Sequence, residues 1–115
     1  MSMNTPYVAM DAAHALKRAG LWDLALDLLP DAATALRAEI LTDRFFWKLD
    51  DPAEAESAVA ELSREDAARG GFHDAQLAYT RLLFGLDPRP GDEARVRAGF
   101  AAAAEDERLA SCKSL

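Results

Sequence analysis

The sequence predicts an all-α chain: six helices paired as about three antiparallel hairpins laid side by side in a solenoid. Three observations carry that expectation. Ala and Leu are abundant, Val, Ile and Thr are sparse, and no segment alternates with period two. Breakers recur at regular places: Gly20, Pro30, Asp50-Asp51-Pro52, Gly70-Gly71 and the DPRPGD stretch at 87–92. One hydrophobic word is also written twice, as TDRFFWKLDDP at 42–52 and as YTRLLFGLDPRP at 79–90. Each copy sets an Arg, three large apolar residues, one break, a Leu, an Asp and then a Pro, and Arg44 and Arg81 lie 37 residues apart.

The elements run in order. Thr5-Pro6 reads as an N-cap with Pro in the first helical position, and Val8, Ala12, Leu16 and Ala19 stripe a helix ending at Gly20. A short second helix, LWDLALDLL, runs to Pro30. The third spans roughly Ala32 to Leu49 and carries the first copy of the word. Asp51-Pro52 caps a fourth, AEAESAVAEL. Between Ser63 and Gly71 the chain reads either as one helical turn and a loop or as the opening of the fifth helix, which continues through HDAQLAYTRLLFGL. The sixth, DEARVRAGFAAAAED, comes after the Pro-rich turn.

At 100° per residue the third helix has two apolar sides. Leu36, Ile40 and Trp47 share one; Leu41, Phe45 and Leu49 lie nearly opposite, with Phe46 between. The fifth repeats this with Leu77 and Phe84 against Ala78, Leu82 and Leu86. A helix apolar on two sides needs neighbours on both. The even-numbered helices share a different stripe, spaced i, i+4, i+7: Ala25, Leu29 and Ala32, then Ala55, Val59 and Leu62, then Val96, Phe100 and Ala103.

On these residues the chain resembles the tetratricopeptide repeat family. Ala13, Leu16, Gly20, Trp22, Ala25, Leu29 and Ala32 match its motif at the first hairpin. Asp43, Phe46, Ala55, Val59 and Leu62 match it at the second, and Thr80, Leu83, Val96, Phe100 and Ala103 at the third. Asp43 and Thr80 stand where the family has a small residue, and the 37-residue offset exceeds the family's ~34 because the second turn is longer. The resemblance implies one domain over 1–115, with hairpins at about 6–30, 32–62 and 64–105 and a short stub at 106–115. It also implies a non-catalytic scaffold that holds a protein or peptide. The chain looks similar to the N-terminal portion of larger bacterial repeat proteins.

Composition narrows the partners. A formal charge of −7 and a pI near 4.7 argue against nucleic acid, whose phosphates need clustered Lys and Arg. No apolar run approaches the ~18 residues of a membrane span, and the start lacks a cationic segment leading into an apolar one, so a cytoplasmic protein is expected. Cys112 is the only cysteine, which leaves no internal disulfide and no Cys-based zinc site.

Residues with chemistry to offer are scattered. His14 and His73 have no ligand-spaced neighbours, and there is no phosphate loop, nucleophile elbow or Cys-His pair. No enzyme, cofactor or metal is therefore expected, although a small helical enzyme or metal protein remains the competing class. Asp50, Asp51, Glu54 and Glu56, like Asp87, Asp92 and Glu93, read as helix-capping acids that oppose the macrodipole.

A basic seam is the sharper candidate. Arg37, Arg44 and Lys48 project between the apolar faces of the third helix, and Arg81 takes the matching position on the fifth. In the family the first helix of each pair lines a concave groove. The resemblance thus implies that Arg37, Arg44, Lys48 and Arg81 face it, with an acidic peptide or a C-terminal carboxylate as partner. The alternative is a solvated seam paired with Glu39, Asp43 and Asp74. Beyond Glu105 only DERLASCKSL remains to cover the last hairpin. The open end then belongs either to a longer protein or to a homo-oligomer formed through it.

Overall fold

A computed structural model describes residues 5–106, with side chains described from residue 9 onward. Among the described residues six helices follow in order: α1 (Thr5–Arg18), α2 (Trp22–Asp27), α3 (Thr34–Lys48), α4 (Ala53–Glu65), α5 (Ala67–Phe84) and α6 (Asp92–Glu105). No strand occurs among the described residues. The 107–115 tail, with Leu109 and Cys112, lies outside them, as do the residues that precede Thr5.

Neighbours in sequence are neighbours in space. α1 packs on α2, α3 on α4 and α5 on α6, while α2 meets α3, α4 meets α5 and α3 also meets α5. The helix with two apolar sides is therefore covered twice. Leu36 and Ile40 join Ala13 and Ala25 in one buried cluster, with Trp22 and Leu16 packed around them. Ala38, Leu41 and Phe45 join Ala55, Ala58, Val59, Leu62 and Leu77 in another. Each large side chain so buried is worth about 1.5–3 kcal/mol.

Several sequence expectations need correcting. The covered side of α3 stops before Trp47, which is 67% exposed. The cause is the height of the α1–α2 turn: Trp22 Nε1 donates to Asp43 Oδ2 at 2.7 Å, so the hairpin ends level with Asp43. Trp47 stands one turn, about 5.4 Å, beyond it. Leu49 is also exposed, and on α5 so are Leu82 and Phe84. The stripe of α1 centres on Ala13 and Leu16, while Ala19 lies past the helix end and is exposed. Ala32 is exposed in a turn because α2 closes at Asp27; Ala33 and Thr34 are buried in its place.

The ambiguous stretch is helix on both sides of Asp66. That residue ends α4 and caps α5, its carboxylate accepting from Arg69 N at 3.2 Å. Gly70-Gly71 is no break: it lies inside α5. A Cβ on Gly70 would collide with both the hydroxyl and the backbone of Ser63, so glycine here lets α5 cross close to α4. Pro52 is the N-cap of α4 and has no side-chain capping bond; the Asp51 carboxylate, one residue earlier, accepts from Ala53 N at 2.9 Å.

Candidate functional site

The four seam cations have separate surroundings. Arg37 donates to the carbonyls of Pro30 at 3.0 Å and Asp31 at 3.3 Å, tying α3 to the turn before it. Arg44, its side chain 13% exposed, reaches Asp23 on α2 at 2.9 Å and Glu54 on α4 at 3.6 Å. Arg81 is sealed, 3% exposed, and donates twice to Asp92, at 3.0 and 2.8 Å. Lys48 is exposed in the last turn of α3. The three arginines are thus held by Asp23, Glu54, Asp92 and backbone oxygens, rather than by Glu39, Asp43 and Asp74. Glu39 lies 4.0 Å from Lys17, and Asp43 holds Trp22.

Asp92 reads from sequence as a helix-capping acid, and its central role is not legible there. It opens α6, is 1% exposed, and takes hydrogen bonds from four groups. Besides both Arg81 contacts it accepts from Arg89 N at 2.8 Å and from Arg95 at 2.9 Å. The Arg81 guanidinium chiefly, against the opposing effect of burial, holds its carboxyl well below the usual range. A signal existed: Arg81 falls among buried positions of α5, and an arginine buried there requires an acid.

What stands free is aromatic. Phe46, Trp47 and Phe84 form a ledge where the last turns of α3 and α5 meet. Phe46 touches Trp47 edge-on at a centroid separation of 5.2 Å and Phe84 at 5.7 Å. Leu83 beside them is 51% exposed and Phe84 is 43% exposed. Both helices end in a left-handed residue, Leu49 (φ 54°) and Gly85 (φ 64°), after which the chain turns away and leaves the rings uncovered.

A second group lies around α5 and α6, where Tyr79, Leu82 and Phe100 are exposed and Tyr79 meets Phe100 edge-on at 6.2 Å. An open depression of about 360 Å³ runs along the packed α3 and α4; its lining includes Arg37, Leu41, Glu54, Ser57 and Glu61. His73 is buried with Nδ1 2.6 Å from Gln76 Oε1, and desolvation pushes its pKa down. His14 is half-buried on α1, remote in sequence and element from His73. Among the described residues no three His, Cys, Asp or Glu side chains are grouped to hold a metal, and no helix is long and apolar enough to cross a membrane.

No family model, curated protein or solved structure matches this chain.

Proposed function

We propose that this chain is a non-catalytic binding module of the tetratricopeptide kind, its helix hairpins stacked side by side to hold another protein or a peptide. The order of packing, pair by pair along the chain, supports the stacked arrangement. One observation carries the functional reading: Trp47 is 67% exposed on a helix whose remaining apolar residues are largely covered. A large aromatic standing in water beside other rings is the ordinary anatomy of a protein-binding hot spot. A cytoplasmic setting belongs to the same proposal and rests on the acidic composition and single cysteine.

The test is capture from a native extract with wild-type protein and with Trp47→Ala/Phe84→Ala, followed by mass spectrometry. A defined partner retained by the first and lost by the second is expected; identical profiles would remove the reading. Recognition of an acidic partner through Arg37, Arg44, Lys48 and Arg81 requires that partner to displace carboxylates already on Arg44 and Arg81. Lys48→Glu tests it without disturbing the buried pair.

Self-assembly is the second reading, favoured by the exposed Tyr79, Leu82 and Phe100 on the last helix pair. Sedimentation across a concentration series separates the two: a monomer throughout leaves only the scaffold.

A further inference from the structure

The ledge has a charge pattern as well as an apolar one. Trp47 and Phe84 occupy the same place in the two copies of the repeated word, and three residues after each comes an exposed Asp, Asp50 and Asp87. Phe46 of the first copy packs on its neighbour Trp47 at 5.2 Å and reaches Phe84 of the second at 5.7 Å, so the constellation occurs twice, side by side. Asp51 is exposed in the same turn as Asp50. The C-termini of α3 and α5, which carry partial negative charge, end beneath the same rings.

The local bases do not cancel this. Arg44 is already matched by Asp23 and Glu54, Arg97 by Glu93 at 2.6 Å, and Arg89, which also feels Asp87, is matched chiefly by Glu56 at 2.8 Å. Lys48 is the exposed base on the ledge itself. Ring faces carry negative quadrupole density and attract Lys or Arg. Carboxylates at the rim steer the same charge, within an overall field of −7.

We propose that the Phe46–Trp47–Phe84 ledge, fringed by Asp50, Asp51 and Asp87, docks a cationic amphipathic segment of a partner protein. Its Leu-type side chains lie on the rings and its Lys or Arg side chains reach the aspartates. This rests on the scaffold reading and specifies the partner's chemistry.

The probe is a pair of synthetic helical peptides of equal length, one alternating Lys and Leu faces, the other Glu and Leu faces, titrated while tryptophan emission is monitored. The Lys–Leu peptide is expected to bind and to shift the emission, with affinity falling as salt rises. Trp47→Ala/Phe84→Ala and Asp50→Asn/Asp51→Asn/Asp87→Asn should each weaken it about tenfold or more, measured by calorimetry where the reporting ring is gone. Lys48→Gln should tighten it. Asp27→Asn/Glu61→Gln/Glu65→Gln removes as many charges elsewhere and should leave it unchanged. Every substituted position is exposed, and circular dichroism checks that each variant stays helical.

Equal binding of the Glu–Leu peptide, or equal weakening by the remote variant, overturns the proposal, since attraction would then be unspecific. Sedimentation of the wild-type protein provides the remaining arm. If it dimerises and Trp47→Ala/Phe84→Ala abolishes the dimer while neither peptide binds, the ledge belongs to a second copy. That result overturns the cationic partner and favours the self-assembly reading, whereas identical extract profiles for wild-type protein and Trp47→Ala/Phe84→Ala would strike the scaffold.

Discussion

The two copies of the repeated word meet different fates, position by position. Thr42 and Phe45 are 5% and 2% exposed; their counterparts Tyr79 and Leu82 are both 42% exposed. Arg44 ties three helices through carboxylates that are themselves more than 70% exposed, whereas Arg81 and Asp92 are sealed together at 3% and 1%. Position within the word therefore does not fix environment. α3 has two later helices, α4 and α5, packed on it, whereas α5 has only α6 after it among the described residues. The arginines differ because the next helices open differently. α6 begins with an acid, Asp92, where α4 begins with Ala53, and the longer second turn lets Arg89 N fold back onto that acid.

The comparison is broken most severely at the sealed pair. Asp92→Ala leaves the Arg81 guanidinium buried without its counter-charge and removes the hydrogen-bond acceptor for Arg89 N. Breaking a buried pair on one side costs about 3–5 kcal/mol, which is to be read as a lower urea midpoint. A loss below about 1 kcal/mol would show that the pair is solvated like an ordinary surface bridge. Acid acts in the same direction. Asp92's depressed pKa means its contribution is complete above the unfolded carboxyl value and is lost as pH falls toward its native one.

Packing gives the next contrast. Phe45→Ala removes a ring enclosed by α4 and by Leu77 of α5, at a cost of about 3 kcal/mol or more. Leu82→Ala, at the aligned position, should cost less than about 1 kcal/mol because the side chain already touches water. Urea melts of the two variants measure the difference directly; similar losses would mean that Leu82 is covered in solution.

A titratable residue offers a third contrast. His73 stands 37 residues after Leu36, in the same register, and both are 5% exposed. Desolvation lowers the His73 pKa, partly offset by its Gln76 bond and by Glu39, and added to by Arg69 and Lys17. The unfolded chain therefore binds the proton first. Stability from His73 is intact above its unfolded value of 6.5 and declines as pH falls below it. The slope is at most about 1.4 kcal/mol per pH unit, and His73→Leu should flatten that part of the profile.

How far the sequence reveals all this depends on the kind of interaction. Local periodicity reads well: all three members of the Ala55, Val59 and Leu62 stripe are buried, and the two-sided α3 has buried clusters on both sides. What periodicity cannot give is how high along a helix its neighbours reach. Trp47 has the angular position of Ile40 but rises past the turn set by Trp22 and Asp43, so it is bare. Gly70-Gly71 misleads for a related reason: glycine marks a turn and a close helix crossing equally well, and only the position of Ser63 distinguishes them. The seam cations are legible as residues, but the carboxylates that hold Arg44 and Arg81 lie 10 to 21 residues away on other helices, beyond the reach of any local pattern.

Arg44 supplies the smallest and most discriminating effect. Its side chain is mostly covered, yet both partners are open to solvent, Asp23 at 74% and Glu54 at 71%. Water and salt therefore weaken the Coulomb attraction, and holding two long side chains in one geometry opposes it further. The pair energy with Asp23, isolated by a double-mutant cycle of Arg44→Ala and Asp23→Ala, should be about 0.2–1 kcal/mol and shrink as salt rises. The single Arg44→Ala variant loses somewhat more, since the methylene stem of a covered arginine contributes packing that charge alone does not describe. Arg44→Met, which keeps the stem and removes the charge, separates those two parts. If Met restores most of the loss, the first copy of the word uses its arginine chiefly as a hydrocarbon spacer, and the second copy alone uses it as a charge.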